Sequence, residues 1–480
     1  MNNSWCNFGI KSKYIIIEIL ELLDEKRLLQ IIKENKKLQK LMEKDIIDYK
    51  NNYKNFSSIE IEIKPSENLG KFINLDNKDE GEKEREKNYQ IYFNDSKVEI
   101  KNKYYLNESD NVTKIKILIA YNVKSLAKLF WKCESIGTII FKKFLRINIE
   151  DMSDMFYECK FLKDINLTNF ITDNVSDMSY MFHGCSLLKN LDLSSFNTSN
   201  LRDMCGMFHL CESLEKVDVS SFNVSNVTDF HKLFSKCHSL KELNLTNFNT
   251  ENGESMSKMF MNCASLDKIN VSFFNVENVI NMSYMFSGCS ALKILDLSKW
   301  NTDSVFDISY MFSECFALKE INISKFNTSN VNSMEGLFSG CSSLKEIDIL
   351  NFQTHNLNKM SGMFAKCNSL KEINLCNFYT NDVNNMSCMF LGCISLKKLD
   401  LYYFNTDNVN EMEEMFSCCK ELEELNIYNF NFTNIKNIKN IFFGCNSLKK
   451  INLSLYQIPY LNKEMIKDCS RECKISTLDD

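Results

Sequence analysis

The sequence predicts an α/β repeat solenoid of thirteen coils, and three observations carry that prediction. Cysteines fall at 133, 159, 185, 211, 237, 263, 289, 315, 341, 367, 393, 419 and 445, an unbroken spacing of 26 residues. Phenylalanine stands three residues before every one of them, from Phe130 to Phe442. A second aromatic column stands eleven residues after, always Phe except for Trp300 and Tyr456. Self-similarity at such a period is the signature of a stacked repeat array.

Each unit changes its apolar period once. In Val331, Met334, Leu337, Phe338, Cys341 and Leu344 the apolar steps are 3, 3, 1, 3 and 3. That spacing predicts a short α or 3-10 segment with one buried face. From Leu344 to Ile347 and Ile349 the period becomes two, the mark of a strand. Eighteen of the 22 methionines fall in two further columns, such as Met282 and Met285, beside the Phe column, where they read as core filling. A single unit cannot bury its own apolar face, so the coils must stack, strand beside strand, in a parallel β ladder. At about 4.8 Å per strand, thirteen coils make a stack of roughly 60 Å.

The units run from Val123 to Tyr460. Before them, residues 1–55 form one expected module. Within it, 14–50 is rich in strong helix formers with apolar stripes, and two or three short helices are expected. Residues 56–122 read as a β-rich cap. Ile59, Ile61 and Ile63 alternate with glutamates, Tyr89–Ile100 and Thr113–Ile119 read as strands, and the charged run 76–88 reads as a solvated loop. Such a cap would cover the strand edge and apolar face of the first coil. Residues 461–480 are the C-terminal cap and tail, with a helix expected over 461–473 to seal the last coil.

Composition narrows the function classes. A net charge of −6 and a pI near 5.7 give no basic footprint for nucleic acid. No apolar run approaches the length of a membrane span. The start, MNNSWCNFGIKSKY, has no uninterrupted apolar segment followed by a small-residue cleavage site, so a cytoplasmic location is expected. Neighbouring Cβ atoms in a ladder column should lie about 4.8 Å apart, too far for a disulfide, which wants roughly 3.5–4.5 Å. The thirteen cysteines therefore read as buried, reduced thiols acting as small hydrophobes. Cys469 and Cys473 share a helix spacing with no nearby histidine, so zinc is not expected. The five histidines form no Ser/His/Asp or Cys/His set, and glycine-rich phosphate loops are absent. No enzyme, cofactor or metal is expected.

Function is then left to the solvent-facing side of the strand. Counting from each ladder cysteine, +6 and +8 point inward while +5, +7 and +9 point to solvent. Position +7 is Asn or Asp in twelve of thirteen units, a ladder expected to interlock neighbouring strands by side-chain hydrogen bonds. Position +9 is Ser or Thr from Thr168 through Ser324, then becomes Leu350, Cys376, Tyr402 and Tyr428 before returning to Ser454. Tyr379 and Tyr403 lie beside the break. A departure toward tyrosine on an exposed strand suits a protein contact, so Leu350, Tyr379, Tyr402, Tyr403 and Tyr428 are the candidate partner-binding residues.

The phrase M-s-x-M-F-x-x-C-x-s-L-k-x-l-x-L-s-x-F-n-T-x-n-V, as in Met282–Val305, resembles the BspA-like leucine-rich repeats over residues 123–460. The resemblance implies a leucine-rich-repeat solenoid with an interaction role and no catalytic residues; many relatives are exported surface proteins. Residues 14–50 are similar to the F-box motif, which implies docking of a ubiquitin-ligase adaptor through Ile17, Ile19, Leu20, Leu23 and Leu28; a plain helical cap is the alternative. The expected protein is thus a monomeric protein-binding scaffold. A ubiquitin-ligase substrate receptor and an exported adhesin are the other readings.

Overall fold

The computed structural model describes residues 59–75, 88–120, 123–144, 148–460, 463–466, 469–470 and 473–476. The expected helices of 14–50 and all but the last residue of the charged run 76–88 lie outside these.

The repeats wind into a solenoid of about thirteen coils with parallel strand pairing between neighbours. One ladder runs through the strands that follow each cysteine, for example Lys398–Asp400 against Glu424–Asn426 and that strand against Lys450–Asn452, residue for residue. A second runs through the position eight before each cysteine, from Ser255 through Asn281, Asp307, Ser333, Lys359, Asn385 and Glu411 to Asn437. In each coil the residues between the two ladders include the buried Met, Phe and Cys columns. The Met, Phe and Cys columns are buried, as are the +8 side chains from Leu167 to Leu453.

The segment between the ladders is where sequence and structure part. The apolar steps of three and four predicted a helix, but the segment is a run of tight turns. In the coil of Cys289, Tyr284, Phe286 and Gly288 each donate their N–H to the next coil, to Ser309, Met311 and Ser313 at 2.9, 2.9 and 2.7 Å. The intervening Met285, Ser287 and Cys289 donate back to Met282, Tyr284 and Phe286. Half the N–H groups therefore stitch coils together, which a helix, closing every N–H on its own i−4 carbonyl, could not provide. The turns need left-handed residues, and the positions five and one before each cysteine have positive φ in every coil, from Lys128 and Lys132 to Asn440 and Gly444. Among the described residues, the α-helical ones are Lys463–Ile466.

Two side-chain columns reinforce the stitching. The Phe rings three before each cysteine stack face to face through all thirteen coils, with centroids 5.3–6.1 Å apart. Each cysteine from Cys159 to Cys445 donates its thiol proton to the Phe carbonyl of the coil before, at 2.9–3.2 Å. That carbonyl already accepts the N–H of its own coil's cysteine, so the thiol fills its second lone pair. The cysteines are thus inter-coil donors as well as small hydrophobes. Burial pushes the Cys289 thiol up to about 12, which keeps the proton in place.

At the N-terminal end, β1 (Ile59–Pro65), β2 (Gly70–Lys71), β3 (Tyr89–Phe93), β4 (Tyr105–Leu106) and β5 (Ile115–Ile119) precede the first repeat strand, β6 (Ile136–Phe144). The sheet order β3-β5-β1-β6-β7, with β7 at Asp164–Asn166, joins an antiparallel sheet to the parallel ladder. β1 pairs antiparallel with β6 on one side while β7 pairs parallel on the other, so the first coil presents no bare edge. The run Tyr89–Ile100 is not one strand. It turns at Asn94 and Asp95, whose φ values of 50° and 60° suit a tight hairpin, and Ile100 bridges back to Ile91. At the far end, the last repeat strand is covered by the strand Lys474–Ser476, which pairs with it in parallel, rather than by helix alone.

Candidate functional site

The exposed side of the strand ladder is shaped by the residue at +7. Its carboxylate or amide oxygen accepts the N–H two residues on: Asp348 from Leu350 at 3.2 Å, Asn374 from Cys376 at 3.1 Å, Asp400 from Tyr402 at 3.0 Å and Asn426 from Tyr428 at 3.3 Å. This is an Asx turn, which ends the strand and fixes the direction of the +9 side chain. The expected interlocking between strands is the lesser role. Among the described residues, ladder members bond each other at Asn244 to Asp218, 3.4 Å, and Asn426 to Asp400, 2.9 Å. The short reach of Asx explains the preference, because its own backbone is nearer than the next coil.

Held this way, Tyr402 and Tyr428 stack across adjacent coils with centroids 5.9 Å apart and planes at 18°. Tyr403 meets Tyr402 edge-on at 5.2 Å and is 64% exposed. Leu350 lies exposed in the same column two coils earlier, with the exposed Cys376 between. Tyr379 is placed differently. Its ring stacks on His355 at 4.0 Å, and its backbone N–H donates to the Thr354 hydroxyl, so it belongs to the next corner of the coil. The candidate set is therefore a cluster of three tyrosines, a leucine along its column, and a separate tyrosine–histidine pair. Ile17, Ile19, Leu20, Leu23 and Leu28 lie outside the described residues.

The patch extends further than the sequence indicated. A 3-10 segment, Leu455–Tyr460, ends the coil that follows the one of Tyr428. Leu455 holds the register of Tyr403 two coils on, and Tyr456, at the place of an otherwise buried aromatic column, is 87% exposed. The change from Phe to Tyr at 456, with Pro459 three residues later, was the available signal. Charged pairs flank the cluster: Lys398 with Glu424 and Lys449 with Glu423, both at 3.0 Å. Exposed pairs of this kind contribute little energy. An aromatic centre with a neutralised polar rim is the anatomy of a protein contact. Among the described residues no three His, Cys, Asp or Glu side chains are placed to hold a metal ion, and no helix is long and apolar enough to cross a membrane.

Comparison with solved structures finds repeat proteins. The chain is similar to a leucine-rich repeat protein from Bacteroides ovatus, with 22% identity, 75% of this chain and 88% of that chain covered, and a TM-score of 0.40. It is also similar to a Leptospira interrogans LRR protein (11% identity, 71% and 90% covered, TM-score 0.22). A third similarity is to a chain of the Drosophila Toll–Spatzle complex (12% identity, 72% and 55% covered, TM-score 0.22). Likeness at these levels adds nothing to the solenoid already described. No match was found among curated proteins. A family described as "Mycoplasma protein of unknown function, DUF285" matches residues 124–243, 150–269, 232–347, 281–393 and 358–472, most of the chain in overlapping stretches, and the chain belongs to that family.

Proposed function

We propose that the protein is a non-enzymatic, cytoplasmic scaffold that binds a protein partner on the exposed strand face, centred on Tyr402, Tyr403 and Tyr428. The observation that carries this reading is the stacked Tyr402–Tyr428 pair, on a column that elsewhere is mostly Ser or Thr. Rigid aromatic side chains give large contact area at low entropic cost. The thiol ladder supports a reducing compartment, because its role as donor needs every sulfur to keep its proton.

The test is partner capture by the full chain from its native cell, compared with the double variant Tyr402→Ala, Tyr428→Ala. Loss of a specific partner with an unchanged melting curve supports the reading. Equal capture by both proteins overturns it, and loss of folding in the variant shows that the tyrosines are structural.

A further inference from the structure

Between the fifteenth and seventeenth positions after the cysteine, the coil carries a second column of departures, far along the turn from the tyrosines. Position +17 reads Glu254, Ile280, Phe306, Asn332, Asn358, Asn384 and Asn410 in successive coils. Ile280 and Phe306 are 51% and 49% exposed. They open onto a cavity of about 600 Å³ whose remaining walls are Ser304, Asn330, Asn332, Asn356 and Asn358. No charged side chain lines it.

The groups in this groove are sorted by what they have left to offer. Asn330 and Asn356 spend their amide N–H on the carbonyls of Asp303 and Ser329, both at 2.7 Å, which locks the side chains in place. Asn332 and Asn358 use only their backbone. Asn332 donates its N–H to Phe306 and Asn358 donates its own to Asn332, at 3.0 and 3.1 Å. Their side-chain amides keep both donors and the acceptor. Because the backbone groups of this column already bond coil to coil, an incoming peptide strand has no edge to pair with. An apolar platform, an array of neutral amides and no charge together match one chemistry: a ring with an apolar C–H face and a rim of hydroxyls, each both donor and acceptor, like the amide itself.

We propose that this groove binds a neutral glycan chain, one sugar ring lying on Phe306 and Ile280 and its neighbours bonding to Asn332 and Asn358. The parallel coils repeat the amide once per turn, as a glycan repeats its hydroxyls once per ring. The site is separate from the tyrosine cluster, and the two stand or fall independently.

The experiment is calorimetric titration of the full chain with chitohexaose, cellohexaose and maltohexaose, alongside Phe306→Ala, the pair Asn332→Ala with Asn358→Ala, and Tyr402→Ala. The expected result is saturable binding of at least one hexasaccharide, roughly millimolar or tighter. It should weaken about tenfold in Phe306→Ala, the loss expected from removing one stacking face. It should weaken in the Asn pair and stay unchanged in Tyr402→Ala. A melting curve on each variant separates loss of binding from loss of fold, and Phe306→Tyr, which keeps the ring, should restore binding. Absence of saturable binding to all three sugars overturns the assignment. So does binding that ignores both Phe306→Ala and the Asn pair, or occupation of the groove by an uncharged Ser/Gly peptide with no sugar bound.

Discussion

Two positions of the same coil, three before the ladder cysteine and nine after it, are under opposite constraints. The first holds Phe in all thirteen coils, stacked on Phe above and below. The second passes through Thr, Ser, Leu, Cys and Tyr, with its backbone tied down by the Asx turn and its side chain outside the apolar spine. The contrast shows where a solenoid can vary. A residue that serves its neighbours' packing on two sides is fixed by them; a residue whose neighbours hold only its backbone is free to be recruited for binding.

The contrast can be broken most forcefully at the spine. Phe286→Ala removes one ring from a stack with partners at 5.4 and 6.1 Å and should cost about 3–5 kcal/mol, read as a fall in the denaturant midpoint. A cost near that of a surface residue would show the stack is not a packing unit.

Acid should act next, and first in the early coils that hold the buried histidines. His183 and His209 are buried, with ring centroids 4.8 Å apart and planes tilted at 54°; burial lowers both to about 4, helped at His183 by the neighbouring His209 and at both by Lys232. The unfolded chain takes up these protons near the ordinary value of 6.5 while the folded chain does not. Stability is therefore complete above pH 6.5 and falls toward pH 4, by up to about 1.4 kcal/mol per pH unit for each histidine. Hydrogen exchange should place this loss in the coils of Cys185 and Cys211, with a further share in the coil of Cys237, where burial also lowers His231, and replacing His183 and His209 with Phe should reduce the slope. Uniform acid loss along the array would contradict it.

Cys289→Tyr overpacks a site that is 1% exposed and removes the donor to Phe260, and should cost roughly 1–3 kcal/mol or more by the same denaturant measurement. A smaller effect belongs to Gly340→Ala. The glycine has φ of 79°, and an added Cβ would lie 3.3 Å from the Glu314 backbone, so about 1–2 kcal/mol is expected. The converse change, Lys258→Gly at φ 59°, should be neutral or stabilising, whereas a helix at this place would make it a loss. At the bottom of the scale, Tyr402→Ala should move the midpoint by no more than about 0.5 kcal/mol.

Much of this was legible. The spacing of 26 gives the coil; the +6 and +8 alternation gives the inward face; the invariant Phe and Cys and the recurrent Met give the spine, since only burial asks for the same side chain so often. The helix was misread because two tandem turns and one short helix place apolar residues at the same steps of three and four. The discriminating signal was glycine. Eight of the thirteen glycines, among them Gly184, Gly288, Gly340 and Gly444, occupy the two positive-φ columns, where a helix would exclude them. The exposure of Tyr456 carries a weaker sign, Tyr in place of Phe shortly before Pro459: its register marks it as buried, and the departure of the chain into a 3-10 segment exposes it.

The sequence by itself determined the repeat, the inward columns and the obligation to stack, because these follow from periodicity and from apolar surface that one unit cannot cover. The tertiary structure alone decided how the backbone spends its hydrogen bonds. Whether an N–H closes on its own turn or reaches the next coil depends on a neighbour 25 residues away in sequence, as from Phe286 to Met311. That choice replaces the helix with left-handed turns, makes a donor of each buried thiol, and leaves the Asn332 and Asn358 amides free while Asn330 and Asn356 are tied.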